Sequence, residues 1–294
     1  MQKRVKKLLF LCLVFCLSNA GYSHNKDVSK NIQKPPVETK TAKKEIIKND
    51  AGKITLDKEY RSKGYNNRER FIIVHYTALN RDRSLEVLTT QEVSSHFLIS
   101  DVETDPVYAL VDEDRRAWHA GVSEWKTSKN LNDSSIGIEI VNPGYIKVDE
   151  FVPYKDFQIK NLAVLLKYLS EKYEISPTNI LGHSDIAPQR KQDPGPLLPW
   201  KMLYTEYNLG MWYDETVKED FKNQYIQTFS TLPVSEIQKE LKKFGYAIDI
   251  TNQWDKQTQN VIKAFQYHFR PELFDGKMDL ETYSILKALN EKYK

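Results

Sequence analysis

Residues 182–196 read GHSDIAPQRKQDPGP and concentrate His183, Asp185, Lys191 and Asp193 in one short stretch. Pro188, Pro194 and Pro196 stiffen that stretch, and a stiff backbone is what a pre-placed metal ligand or a charge-stabilising donor requires. His75 follows the apolar run Phe71-Ile72-Ile73-Val74. It is therefore expected at the end of a buried strand, where α/β sheets place their sites. His75, His183 and one aspartate would make a three-ligand zinc site with its fourth position open to water. Spacing alone does not choose between Asp185 and Asp193. Glu139 stands inside the apolar alternation IGIEIV (136–141), where strands disfavour glutamate and unpartnered burial is costly. It is paired, solvated or functional. The competing reading of the 182–196 stretch is a polar loop held by Asx and proline turns.

The elements that must position these residues are legible in the hydrophobic pattern. Short apolar runs at 71–74, 95–100, 107–111 and 136–141 predict strands. Alternation along the last puts Ile136, Ile138 and Ile140 on one face, with Gly137, Glu139 and Val141 on the other. Ile159, Leu162, Leu166, Leu169 and Tyr173 recur at helical spacing, and Ser176-Pro177 ends that helix. Strands alternating with helices predict an α/β domain around one sheet. Beyond Pro233 the pattern changes to three short helices. Gly245 ends the first of them, and Asp255 and Asp279 cap the second and third.

Composition narrows the class. The 294 residues are 40% hydrophobic and 28% charged, which supplies a sizeable core and excludes a disordered or collagen-like chain. The one long apolar run, Leu8–Leu17, excludes a polytopic membrane protein. Lys3, Arg4, Lys6 and Lys7 more than account for the net charge of +3, so nucleic-acid binding through bulk positive charge is excluded. Residues 1–20 have the basic, apolar and small-residue layout of a signal peptide. Both cysteines, Cys12 and Cys16, fall inside it, so the mature chain would hold a metal with His and carboxylates only. Residues 21–53 read as a flexible tether, 54–213 as the catalytic domain, 214–232 as a partly helical linker and 233–294 as the helical domain.

Five strings carry a resemblance: VHYTA (74–78), SSHFLI (94–99), WHAGVSEW (118–125), LNDSSIGIEIVN (131–142) and GHSDIAPQRKQDPGPLLPW (182–200). The region they span resembles the zinc-dependent N-acetylmuramoyl-L-alanine amidases, a family shared with phage amidases and peptidoglycan recognition proteins. IQKELKKFGY (237–246), AFQYHFRP (264–271) and DGKMDLETYSIL (275–286) resemble a three-helix peptidoglycan-binding module. The resemblance implies a central mixed sheet flanked by helices, one Zn2+ held by His75, His183 and Asp193, Glu139 as acid/base and Lys191 as the polarising cation. It sets Trp118 and His119 on the substrate groove, leaves His96 a supporting role in its strand, and makes Asp185 a loop residue.

The activity implied is hydrolysis of the amide between the lactyl group of N-acetylmuramic acid and L-alanine, with peptidoglycan or muropeptides as partners. A monomeric, exported, periplasmic protein is expected. Related Gram-negative enzymes are usually lipoproteins, yet Leu11 and Phe15 precede the cysteines where a small residue is needed; association with the outer membrane through a lipid anchor stays open. A non-catalytic peptidoglycan receptor on the same fold is the alternative, and a metal hydrolase of another exported polymer is a third reading.

Overall fold

The computed structural model describes residues 44–60, 62–147 and 150–294. The expected signal peptide and the tether up to residue 43 lie outside the described residues. Residues up to Gly64 form one unit and Tyr65–Lys294 another. In the first, β1 (Lys44–Asn49) and β2 (Gly52–Asp57) pair as an antiparallel hairpin. The hairpin crosses the expected boundary at residue 53. Its alternating IIK and ITL segments are too short to stand out in a Lys-rich stretch, and every residue of it is exposed.

The second unit begins with β3 (Phe71–Tyr76), α1 (Arg81–Thr90), β4 (Phe97–Ile99) and β5 (Tyr108–Ala109). Two short hairpins follow, β6 (Glu124–Trp125) with β7 (Ser128–Lys129), and β9 (Tyr145–Lys147) with β10 (Glu150–Phe151), on either side of β8 (Ser135–Ile140). The order continues with α2 (Asp156–Tyr173), β11 (Ile180–Gly182), α3 (His183–Ile186), α4 (Trp200–Tyr207), α5 (Glu215–Tyr225), α6 (Val234–Phe244), α7 (Lys256–Phe269) and α8 (Leu280–Lys292). The sheet runs β11-β3-β8-β4-β5. Its first four strands are parallel and β5 is antiparallel, so the sheet is mixed.

Parallel register sets His75 of β3 beside Glu139 of β8. The expected alternation holds on β8: Ile136, Ile138 and Ile140 are buried in one cluster with Leu162, Leu166 and Leu169 of α2. The Gln158 amide, at the start of α2, donates to the carbonyls of Ser100 (3.1 Å) and Val141 (2.8 Å), satisfying strand-end acceptors that no β partner reaches. Among the described residues no helix is long and apolar enough to cross a membrane.

The segment expected as a linker is largely helical. Val217, Phe221 and Tyr225 make a stripe on α5, which lies along α8 with Lys218 and Lys222 paired to Glu281 at 2.8 and 2.6 Å. The partial helix expected in this linker is therefore present as α5, and its docking along α8 depends on contacts distant in sequence.

Nor does the helical region hang free of the sheet. The Lys126 amide donates to the Gly245 carbonyl at 2.8 Å, and Trp125 bridges Tyr246. Gly245 has φ +148, and a Cβ there would meet the Trp125 ring at 2.8 Å. At the centre of the contact is Asp185, only 1% exposed. Its carboxylate accepts from the Gly182 amide (2.8 Å), the Tyr246 hydroxyl (2.7 Å) and His268 Nδ1 (2.8 Å). The His268 ring stacks on Trp200, with centroids 4.1 Å apart. Asp185→Ala would strand three buried donors, each costing about 1–3 kcal/mol. The expected loss, read by urea unfolding of the full chain, is on the order of 3 kcal/mol; a loss below about 1 kcal/mol would show that the contact contributes little.

Candidate metal centre and catalytic cleft

The ends of β3 and β11, and the loop after α3, converge on one point. His75 is the penultimate residue of β3, and His183 follows β11 as the first residue of α3. Asp193 returns to them because the loop is closed by the Ser184 amide donating to the Asp193 carbonyl at 2.8 Å. His75 Nδ1, His183 Nδ1 and Asp193 Oδ2 lie 2.9 Å from one another. All three residues are buried, and among the described residues they form the one cluster of His, Cys, Asp and Glu able to hold a metal.

The hydrogen-bond network assigns the ring protons. The Ser135 hydroxyl donates to the Leu131 carbonyl (2.6 Å), so it accepts from His119 Nε2 (3.2 Å). His119 Nδ1 is then an acceptor, and His75 Nε2 donates to it at 3.0 Å. His183 Nε2 donates to the Ala120 carbonyl at 3.0 Å. Both Nδ1 atoms are left as lone pairs facing the carboxylate oxygen. Three acceptors at this separation with no proton between them repel one another, and a cation is what such a set accommodates. Two neutral imidazoles and a carboxylate match the donor preferences of zinc, and the outward hydrogen bonds orient them as outer partners of metal ligands do.

Burial favours neutral rings at His75 and His119. Burial, reinforced by His183, lowers His75 to about 4 against the pull of Asp193. Burial, then His75, holds His119 well below the usual histidine range. Burial alone would raise the Asp193 carboxyl, but His183 and His75 overcome it and hold it well below the usual carboxylate range.

These residues line a cleft of about 480 Å³ that also receives Glu139, Lys191 and Trp118, within the size range of small-molecule sites. Glu139 Oε2 is buried and has no hydrogen-bond partner. Burial, with Asp193 adding to it and Lys191 opposing, raises this carboxyl to about 8. Trp118 is half exposed at the rim, with the Arg116 guanidinium 4.2 Å over its ring. His119 does more than line the groove, because it also holds His75. Its ring occupies the space over Gly137, where a Cβ would lie 2.5 Å from it. Asp185, the other candidate ligand, turns away into the contact with α6 and α7.

The family described as N-acetylmuramoyl-L-alanine amidase matches residues 65–196, and a putative peptidoglycan binding domain matches residues 230–286. The chain is 40% identical over 236 residues to the N-acetylmuramoyl-L-alanine amidase AmiD of Escherichia coli, covering 77% of this chain and 84% of that protein. The chain belongs to this amidase family. Its fold matches the crystal structure of AmpDH3 from Pseudomonas aeruginosa with a TM-score of 0.76 at 42% identity, over 82% of this chain and 99% of that one. It also matches E. coli AmiD in complex with anhydro-N-acetylmuramic acid-L-Ala-D-γ-Glu-L-Lys, with a TM-score of 0.74 at 36% identity over 84% and 98%.

Several supporting residues of the amidase escape a sequence reading. Asn132 Oδ1 accepts from the amides of His119 (3.1 Å) and Ala120 (2.7 Å), fixing the backbone that supplies the Ala120 carbonyl. Ser135 ends the relay from His75, and Arg190 donates to the Ala120 and Val122 carbonyls. Asn132 and Ser135 lie inside the string LNDSSIGIEIVN, but nothing in their types marks them as hydrogen-bonding to a histidine loop. His96 accepts from the Gly137 amide at 2.9 Å and donates to the Arg115 carbonyl at 3.0 Å, in keeping with a supporting role.

In the metal-free amidase Glu139 keeps its proton up to about pH 8, whereas an unperturbed carboxyl releases it at 4.5. Between these values the folded state binds more protons, so stability falls as pH rises through that window. Glu139→Gln removes the titrating group. Urea unfolding in chelator should show the variant gaining on the parent from about pH 5 to about pH 8; a constant gap would contradict the burial of this carboxylate.

Proposed function

We propose that the protein hydrolyses the amide between the lactyl group of N-acetylmuramic acid and the L-alanine of the peptide stem, using one zinc ion held by His75, His183 and Asp193. The observation that carries this reading is the acceptor triangle, with the unpartnered Glu139 oxygen facing the same cleft. Family membership and the substrate bound to E. coli AmiD support the bond assignment. Zinc would supply a Lewis acid and lower the pKa of a bound water from 15.7 to about 7.

The chain's own groups do the rest. Glu139 takes the proton of the attacking water and passes it to the departing amine of L-alanine. Burial favours its neutral form; a divalent ion held by His75, His183 and Asp193 would favour the ionised form a base requires. Lys191 donates to the carbonyl oxygen as negative charge develops there. His119 and Ala120 hold the imidazoles in their tautomers throughout, and Trp118 gives the rim an aromatic surface for substrate. A non-catalytic receptor on this fold needs neither the full triangle nor a glutamate with a buried, unpartnered oxygen. The layout of residues 1–20 supports a location outside the cytoplasm, and the match at 230–286 supports binding of polymeric wall.

The test is incubation of the purified chain with peptidoglycan, with mass spectrometry for free stem peptides beginning with L-alanine. Release should stop with chelator and return with zinc. Glu139→Ala should retain zinc and lose most turnover, and Lys191→Ala should slow kcat by about 10²–10³ while staying folded. Near-native rates in Glu139→Ala would reject the base assignment, and binding without release would favour the receptor.

A further inference from the structure

Two members of the acceptor triangle are anchored through a carboxylate that the mechanism does not use. Asp185 lies buried two residues after His183, and both of its oxygens are engaged. Oδ2 accepts from the Gly182 amide and from His268 Nδ1, each at 2.8 Å, and Oδ1 accepts from the Tyr246 hydroxyl at 2.7 Å. Gly182 precedes His183 and packs directly on Pro194, which follows Asp193. A Cβ at Gly182 would lie 2.6 Å from Pro194 Cδ. The Ser184 amide donates to the Asp193 carbonyl at 2.8 Å on the other side of His183. A carboxylate that fixes Gly182 thereby fixes the spacing between His183 and Asp193.

The side-chain donors to Asp185 come from far along the chain. Tyr246 follows α6, and His268 sits in the last turn of α7. Both fall inside the match to a putative peptidoglycan binding domain. The His268 ring stacks on Trp200 and on Phe269, with centroids 4.1 and 4.0 Å away. Its Nε2 is buried with no partner among the described residues. These contacts set the ring plane and aim Nδ1 at Asp185. Burial penalises a carboxylate left with one partner, so losing these donors would free Asp185 to turn and release the Gly182 amide.

We propose that His268 and Tyr246 are positioning residues for the metal centre. Acting through Asp185, the helical region sets the placement of His183 and Asp193, and with it the affinity for zinc. The proposal rests on the zinc reading above and gives the helical region a task apart from any binding of wall polymer. Outer partners of metal ligands typically change metal affinity by about 10–100-fold.

The test measures zinc affinity of the folded full chain by competition with a chromophoric chelator, alongside urea unfolding without metal. His268→Phe keeps a stacked ring and removes the donor, whereas His268→Asn removes the ring and keeps a donor near the Nδ1 position. Tyr246→Phe removes the second donor with little change of shape. Asn290→Ala is the control, because it breaks the bonds from α8 to Glu240 at 3.0 and 2.7 Å, a contact of the helical region that does not include Asp185. His268→Phe and Tyr246→Phe should each weaken zinc binding about tenfold, and His268→Asn should stay within about threefold of the parent. Asn290→Ala should lose stability with its zinc affinity unchanged.

Parental zinc affinity in both His268→Phe and Tyr246→Phe overturns the proposal. Equal weakening in His268→Asn and His268→Phe overturns it in favour of ring packing, and weakening in Asn290→Ala overturns it in favour of general stability. If His268→Phe does not fold, Tyr246→Phe decides by the same measurement. A parent that binds no zinc sinks the metal reading and this proposal together. If the expected pattern of zinc affinities is found but the parent releases no stem peptide, the amidase reading fails and the positioning role stands.

Discussion

Three acceptors held 2.9 Å apart in a buried pocket form the constraint around which the rest of the chain is organised. Without a cation the arrangement is self-repelling, so each member has to be held from outside. Ser135 and His119 hold His75 through a chain of donors ending on a backbone carbonyl, and Ala120 holds His183. Gly137 leaves room for the His119 ring, and the loop closed from Ser184 to Asp193 brings in the carboxylate. None of these contacts contributes much by itself, but together they restrict rotation of three side chains, which is the condition for tight metal binding.

The sheet supplies the remaining geometry at little cost. Parallel pairing of β3 with β8 sets His75 opposite Glu139, so the buried carboxyl stands beside the acceptor triangle without any loop having to deliver it. The same face of β8 carries Gly137, and the opposite face is apolar and buried in the cluster shared with α2. One strand thus serves core and site with alternate residues. The high position of the Glu139 carboxyl follows from burial in that setting, with Asp193 adding to it and Lys191 opposing.

The helical region completes the catalytic loop in addition to following it in sequence. Asp185, two residues after His183, is satisfied by Tyr246 and His268, while Gln189 and Gln192 are tied to α7. The loop that carries Lys191 and Asp193 is therefore braced on both sides. The helical region and the 182–196 loop are packed together in this arrangement, in place of two modules joined by a flexible connection.

Much of the site was legible in the amino-acid order. His75 and His183 are marked by apolar strands that end at them, and Glu139 by its conflict with the strand around it, because local pattern alone produces both signals. Residue types in the loop also carried the zinc chemistry, but the choice between Asp185 and Asp193 came from resemblance, since both lie within reach in sequence. Only the tertiary structure decided what Asp185 does, which partners orient the imidazoles, and that the helix Glu215–Tyr225 docks along α8. Those outcomes depend on contacts between residues far apart in the chain, such as Asp185 with His268 or His75 with His119. Hydrophobic periodicity reports which face of an element is buried; it does not report which other element covers that face.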